Sequence, residues 1–195
     1  AKILTESVED YVKLYNSNKK VKDSTNFHLD SRSGSLLEVL QERTAVADGR
    51  ILFIGSAAEY GLSGRDGAMV TERALLQPVA SYAISKVVQS GLGLQYAADF
   101  GLPIVLARSF NLLGPGQDVD MVAGSWARQI ARIEQELEAP ILRVQTLGAA
   151  RDFVDIRDAV RGYRSLVEKG QPGESYNIAS GDSTTLQQLL EIFQE

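Results

Sequence analysis

Ser56, Tyr82 and Lys86 are the residues of this chain whose types and spacing could do chemistry. A tyrosine phenol can pass a proton to or from a substrate oxygen, a serine hydroxyl can hydrogen-bond the same oxygen, and a nearby lysine ammonium favours the tyrosinate. Together they offer what a nicotinamide-dependent interconversion of a secondary alcohol and a ketone needs. On a helix, positions 82 and 86 lie on one face, one turn apart. Taken alone, such a tyrosine is more often a half-buried packing residue, so the surrounding elements decide between the two readings.

Those elements have to place three side chains at one edge. The segment from Gly49 to Ser56, GRILFIGS, reads as a turn and then a short, fully buried strand of a parallel sheet, with Ser56 at its carboxyl end. Ligands of open α/β sheets bind outside the carboxyl ends of the strands, so a catalytic hydroxyl belongs there; a serine that merely satisfies a turn is the alternative. A second buried strand, Pro103 to Arg108, runs into a loop, Ser109 to Gln117, with Asn111 just past the strand end. Two strands therefore deliver polar groups to one edge.

The rest of the chain alternates helix and strand without repeats or low-complexity stretches. Helices are expected from Ser7 to Tyr15, from residue 81 to about 100 with Ala83, Ile84, Val87 and Val88 packing inward, and from Met121 to Glu138. A further helix runs from Asp155, its N-cap, to Lys169, with Gly170 as the C′ residue. Short strands are expected at Ile141 to Val144 and Glu174 to Ala179, and Thr184 with Gln187 forms a capping box before Leu186, Leu189, Leu190 and Phe193. Residues 62–80 and 114–120 read as linkers.

Four blocks in order, ILFIGSAAEYG (51–61), SYAISK (81–86), ARSFNLLGPGQ (107–117) and RDFVDIRD (151–158), are followed by YNIASG (176–181). This set resembles the extended short-chain dehydrogenase/reductases of the NAD-dependent epimerase/dehydratase family, which act on nucleotide sugars, over about residues 30 to 195. FNLLGPGQ, WARQIARIE (126–134) and RDFVDIRDAVRGY (151–163) carry the likeness to the GDP-4-dehydro-6-deoxy-D-mannose reductases within it. The resemblance implies a Rossmann-like, doubly wound α/β domain with NAD or NADP as cofactor. It also implies Ser56, Tyr82 and Lys86 as catalytic residues; Lys86, Tyr82 and Ser109 against the cofactor; and Asn111 and Arg151 against the sugar nucleotide. Guanidinium forks suit phosphate oxygens, and Asn both donates and accepts; an ion pair with Asp152 or Asp155 is the alternative for Arg151. A homodimer through the helix that holds Tyr82 and Lys86 follows from the same resemblance.

Two departures narrow this. Dehydratases of the family carry a Glu three residues before the motif glycine, and counted from Gly61 that position is Ala58, while a strand-like alternation would aim Glu59 elsewhere. A reductase, or a 4-epimerase, needs only the Ser-Tyr-Lys set. The second departure is the Gly-x-x-Gly-x-x-Gly turn that holds the cofactor pyrophosphate: the first fifty residues contain only Gly34 and Gly49. Gly34 to Glu42 resembles the family's helix before the catalytic strand, whereas residues 1–30 match nothing, and the family continues beyond Glu195. The expectation is a single truncated domain over residues 1–195, with residues 181–195 beginning the substrate-domain side. Such a chain, a fragment or a shortened gene product, should bind NAD(P) weakly or not at all. A non-catalytic remnant that binds a partner or a nucleotide sugar is the third reading.

Composition fits that class and removes others. At 195 residues and 44% apolar the chain can bury a sizeable core. With no cysteine and a single histidine, His28, outside every motif, disulfides, a zinc site and a Ser-His-Asp hydrolase are set aside, and no metal is expected. A net charge of −5 argues against nucleic acid, the lysines at 19, 20 and 22 reading as a solvated face. No apolar run approaches about 18 residues and no hydrophobic leader precedes the chain, so a soluble, cytoplasmic protein without a membrane partner is expected.

Overall fold

The computed structural model describes residues 50–64, 69–144 and 146–194, which fall in the compact unit Arg50–Glu195. The helix expected at Ser7 to Tyr15, the segment Gly34 to Glu42, His28 and the early lysines lie outside the described residues.

The apolar, β-branched run that ends at Ser56 forms β1 (Ile51–Ser56), and the run after Pro103 forms β2 (Ile104–Ser109). They pair in parallel from Ile51 opposite Ile104 to Ser56 opposite Ser109, which brings both serines to the same carboxyl edge. On the other side of β2, the strand Ser175–Ile178 pairs in parallel with Leu106 to Ser109.

The helix Ser81–Phe100 (α1) covers one face of this three-stranded sheet, where Gly93 lets its backbone approach the ring of Phe53. The helix Ile156–Lys169 covers the opposite face: Leu166 and Tyr163 pack with Val105, Ala107 and Leu52. Parallel strands with helices on both faces make a doubly wound α/β arrangement. Every residue of β2 is buried, as its central place requires. β1 departs from the fully buried strand expected. Only Gly55 in it is buried and Ile54 is 37% exposed, because among the described residues β1 has a strand neighbour on one side only.

α1 ends as expected, at Gly101 in the left-handed conformation with φ 65°. Its packing face differs. Ala83, Ser90 and Gly93 are buried, Val87 is half-buried, and Ile84 and Val88 are 52% exposed each. Small residues let the helix sit close on the sheet, and the larger apolar side chains are left on the outer side.

A second layer follows. β3 (Asn111–Leu113) forms inside what reads as a loop, because its backbone finds β5 (Phe153–Asp155) in parallel, Asn111 opposite Phe153. Between them lie α2 (Val122–Glu134) and β4 (Ala150–Arg151). α2 stops short of the expected Glu138, in turns that include Glu136 at φ 58°. Ile141 to Val144 is not a strand. The amide of Gln129 takes a strand partner's place there, accepting from the Arg143 N–H at 2.9 Å and donating to its carbonyl at 3.2 Å.

Asp155 caps the helix Ile156–Lys169 (α3), accepting from the Arg157 N–H at 2.8 Å. Gly170 is not left-handed (φ −58°); it is needed for space, since a Cβ there would lie 2.6 Å from the Leu166 carbonyl oxygen and 2.9 Å from Val105. Arg50 supplies the C-terminal cap instead, its guanidinium donating to the carbonyls of Gly170 at 2.5 Å and Glu168 at 2.9 Å. After β6 (Ser175–Ile178), β7 (Thr184–Thr185) pairs antiparallel with β4 and leads into α4 (Leu186–Gln194). The capping box is shifted by one residue from the expected pair: Thr185 and Gln188 cap each other's backbone N–H at 3.1 and 2.9 Å. Leu189 and Leu190 of α4 pack on Trp126 of α2.

Candidate active site

The carboxyl edge of β1 and β2 carries two of the expected residues, Ser56 and Ser109. Ser56 caps a single 3-10 turn, Ala57–Tyr60: its Oγ accepts the Ala58 N–H at 3.2 Å, and its own N–H donates to Glu59 Oε1 at 2.9 Å. Because the hydroxyl already accepts a backbone donor, its proton is free to be given outward. Lys86 reaches the same edge from α1. Its Nζ donates to the Ile54 carbonyl at 2.9 Å and to Gln89 Oε1 at 3.0 Å, and it lies 5.9 Å from the ring centre of Tyr82. An ammonium has three protons, so one donor remains for a ligand. Tyr82 itself is 58% exposed, and its hydroxyl has no hydrogen-bond partner among the described residues. No hydrogen bond joins Ser56 to Tyr82 among those residues.

Ser109 lies opposite Ser56 in register, but its hydroxyl is 2.5 Å from the Tyr163 hydroxyl of α3 and the residue is 8% exposed. Asn111 donates through Nδ2 to the Asp152 carbonyl at 2.8 Å, which leaves Oδ1 as an acceptor. Arg151 sits in β4, opposite Thr184; its guanidinium donates to the Ala150 carbonyl at 2.8 Å, and it forms no ion pair among the described residues. The two carboxylates weighed as its partners are engaged elsewhere: Asp152 accepts the N–H groups of Ser180 and Gly181 at 2.9 Å each, and Asp155 binds Arg157. A groove of about 1030 Å³ opens beside α2, lined by Trp126, Arg128, Arg132, Ile141 and Arg143. Arg132 is paired with Glu138, and no ion pair involves Arg128 or Arg143 among the described residues.

The sequence reading passed over a buried ion pair. Glu59 does not follow a strand-like alternation; the 3-10 turn carries it inward, where it is fully buried with Oε2 3.0 Å from Arg108 Nε and Oε1 accepting the Ser90 hydroxyl at 3.1 Å. Both oxygens are therefore taken, and the carboxylate is held away from the edge where a substrate would sit. The guanidinium of Arg108 continues to the Tyr60 hydroxyl at 3.2 Å and the Glu72 carbonyl at 3.3 Å, and Tyr60 donates to Asn177 Oδ1 at 2.7 Å. One signal in the sequence points here: an arginine that follows an apolar run in a buried strand needs a buried partner.

Burial pushes the Tyr60 phenol above its ordinary value of 10.0, an effect that Arg108 only partly offsets. A group whose value is raised on folding contributes stability below its unfolded value, and that contribution is lost as pH rises through the folded one. Urea midpoints taken between about pH 9 and about pH 12 should therefore fall, and Tyr60→Phe should remove part of that fall. An identical alkaline decline in the two proteins would refute the assignment.

Four similarities relate this chain to known proteins. The NAD dependent epimerase/dehydratase family matches residues 24–179, and the chain belongs to that family. It is 35% identical over 158 residues to the GDP-6-deoxy-D-mannose reductase of Pseudomonas aeruginosa, a match that covers 81% of this chain and 51% of that protein. The solved structure of the Pseudomonas aeruginosa protein RMD complexed with NADPH superposes with a TM-score of 0.74 at 36% identity, covering 80% of this chain and 52% of that one. A UDP-glucuronic acid 4-epimerase from Bacillus cereus in complex with NAD superposes at 0.66 with 25% identity, over 81% of this chain and 50% of the other. The chain thus spans about half the length of the relatives it matches. No described helix is long and apolar enough to cross a membrane.

Proposed function

We propose that this chain carries the catalytic edge of an NAD(P)-dependent reductase acting on the C4 ketone of a GDP-4-dehydro-6-deoxy-hexose. The observation that carries the reading is the lysine: Lys86 is anchored to the Ile54 carbonyl at the end of β1, with Tyr82 one turn away and one ammonium proton unspent. That donor set fits the ribose hydroxyls of a nicotinamide nucleotide. The identity to a GDP-6-deoxy-D-mannose reductase supports the substrate class.

Bound at this edge, a reduced nicotinamide supplies the hydride. The chain's own residues do the rest. Tyr82 gives its proton to the ketone oxygen as the alcohol forms, Ser56 polarises that oxygen with its free O–H, and Lys86 holds the ribose and the tyrosine in place. Ser109 has room for at most a further hydrogen bond to the cofactor. Asn111 offers an acceptor to the sugar, and Arg151 offers a guanidinium fork to the diphosphate. The exposed apolar side chains on the outer side of α1, Ile84 and Val88, support a homodimer through this helix.

With GDP-4-dehydro-6-deoxy-mannose and reduced cofactor, a full-length protein carrying this chain should consume cofactor in step with ketone. Recycling without net oxidation would favour a 4-epimerase, a reading supported by the epimerase likeness. No oxidation with any 4-keto sugar nucleotide would leave the non-catalytic remnant. Arg151→Ala should weaken GDP-sugar binding by about 1.5–3 kcal/mol, the range for hydrogen bonds to a charged group, as read by calorimetric titration. Unchanged affinity would remove Arg151 from the site.

A further inference from the structure

The proposed reaction makes no use of the Glu59–Arg108 pair, although the surrounding structure is shaped to hold it. A reciprocal cap on one turn needs only one acceptor oxygen. Here the acceptor is a fully buried carboxylate, and the cation that balances it comes from a different strand, with the Arg108 side chain 5% exposed. Three elements make room for that one carboxylate. Gly55 of β1 has no side chain where Glu59 Oε1 sits, and a Cβ there would collide with it. Ser90 of α1 donates to the same oxygen at 3.1 Å, and Arg108 of β2, the register partner of Gly55, holds the other. The backbone donor that this carboxylate binds is the N–H of Ser56, at 2.9 Å.

We propose that the buried Glu59–Arg108 pair is a positioning device for Ser56, fixing the direction in which its hydroxyl donates. The carboxylate clamps the Ser56 N–H, while the turn it holds presents the Ala58 N–H to Ser56 Oγ at 3.2 Å. With backbone and hydroxyl both held from the inner side, the O–H is left to point away from the turn. A hydroxyl that accepts a backbone donor is also polarised to give its own proton more strongly. Arg108 extends the clamp to the Tyr60 hydroxyl and the Glu72 carbonyl, so the turn after Ser56 and the segment around Glu72 are held by the same cation. The inference rests on the reading of Ser56 as the group that polarises the substrate oxygen. Glu59 and Arg108 act through Ser56 and touch no reacting atom.

The test uses the double variant Glu59→Leu/Arg108→Met in the whole chain. It removes both charges together and fills the space with apolar atoms, a change that buried pairs tolerate far better than the loss of one partner. Two quantities are read: amide hydrogen exchange at Ser56 relative to Ile104–Ala107 of β2, and the split between kcat and KM. Protection of the Ser56 amide should fall about tenfold or more while β2 keeps its protection. Turnover should fall about ten- to a hundredfold with KM little changed, because a misdirected hydroxyl costs orientation and not affinity. Should the double variant fail to fold, Glu59→Gln carries the same readouts. Its single acceptor oxygen cannot serve Ser56 and Arg108 as two carboxylate oxygens do, so the same two losses appear, smaller in size. A folded variant with unchanged kcat, or a Ser56 amide that exchanges equally fast with and without the pair, overturns the proposal. If the unmodified chain turns over no 4-keto sugar nucleotide, the assigned reaction fails, and exchange at Ser56 still decides whether the pair positions it.

Discussion

Tyr82→Phe should lower turnover by about 10²- to 10⁴-fold while leaving substrate affinity nearly unchanged. The substitution removes one oxygen. Its structural cost is small, since Tyr82 is 58% exposed and its hydroxyl has no hydrogen-bond partner among the described residues. Exposed positions of that kind usually shift stability by no more than about 0.5 kcal/mol. The ring that faces the Lys86 ammonium at 5.9 Å is kept. A loss of rate at constant KM and constant melting temperature would therefore report the missing proton donor alone. If Tyr82→Phe retains full turnover, the proton comes from elsewhere and the mechanism is wrong.

Arg108→Leu should destabilise the fold by about 3–5 kcal/mol, the cost of leaving a buried carboxylate without its cation. Glu59 is fully buried, so hydration does not replace the lost partner without local opening. Burial works against the charged form of Arg108, but its hydrogen bonds to Tyr60 and Glu59 outweigh that effect and hold the guanidinium charged more firmly than usual. Tyr60 and the Glu72 carbonyl lose a donor in the same step. Chemical denaturation measures the loss directly. A change below about 1 kcal/mol would show that the pair is balanced by its surroundings rather than by its partner.

Where hydrophobic period and local chemistry agree, the fold could be read from the chain: β1, α1, β2, α3 with Asp155 as cap, and β6 all fall close to their expected bounds. The placement of Ser56 at a strand end, and of Tyr82 and Lys86 one turn apart on a helix, was legible for the same reason. Misreadings arose where a distant group decides. Ile141 to Val144 has strand composition but takes its partner from the Gln129 side chain. The stripe on α1 follows close approach by Ala83, Ser90 and Gly93, not the bulk of Ile84 and Val88. The burial of Glu59 does not follow from the period of the strand before it, because a 3-10 turn redirects the backbone. The thread that leads to it runs through Arg108, a charge in a buried strand, and requires knowing which strand lies next to which.

Asp152 links features that sequence distance keeps apart. Its carboxylate gathers the N–H groups of Ser180 and Gly181, its carbonyl accepts from both the backbone and the side chain of Asn111, and Arg151 is its immediate neighbour in the chain. Asn111 and Arg151 are thus fastened to one residue from two different ribbons. Residues tied through a shared partner do not act independently, and the energies of their substitutions need not add. A ligand that touched both side chains would therefore meet two groups that share one anchor, and a change at that anchor would reach both.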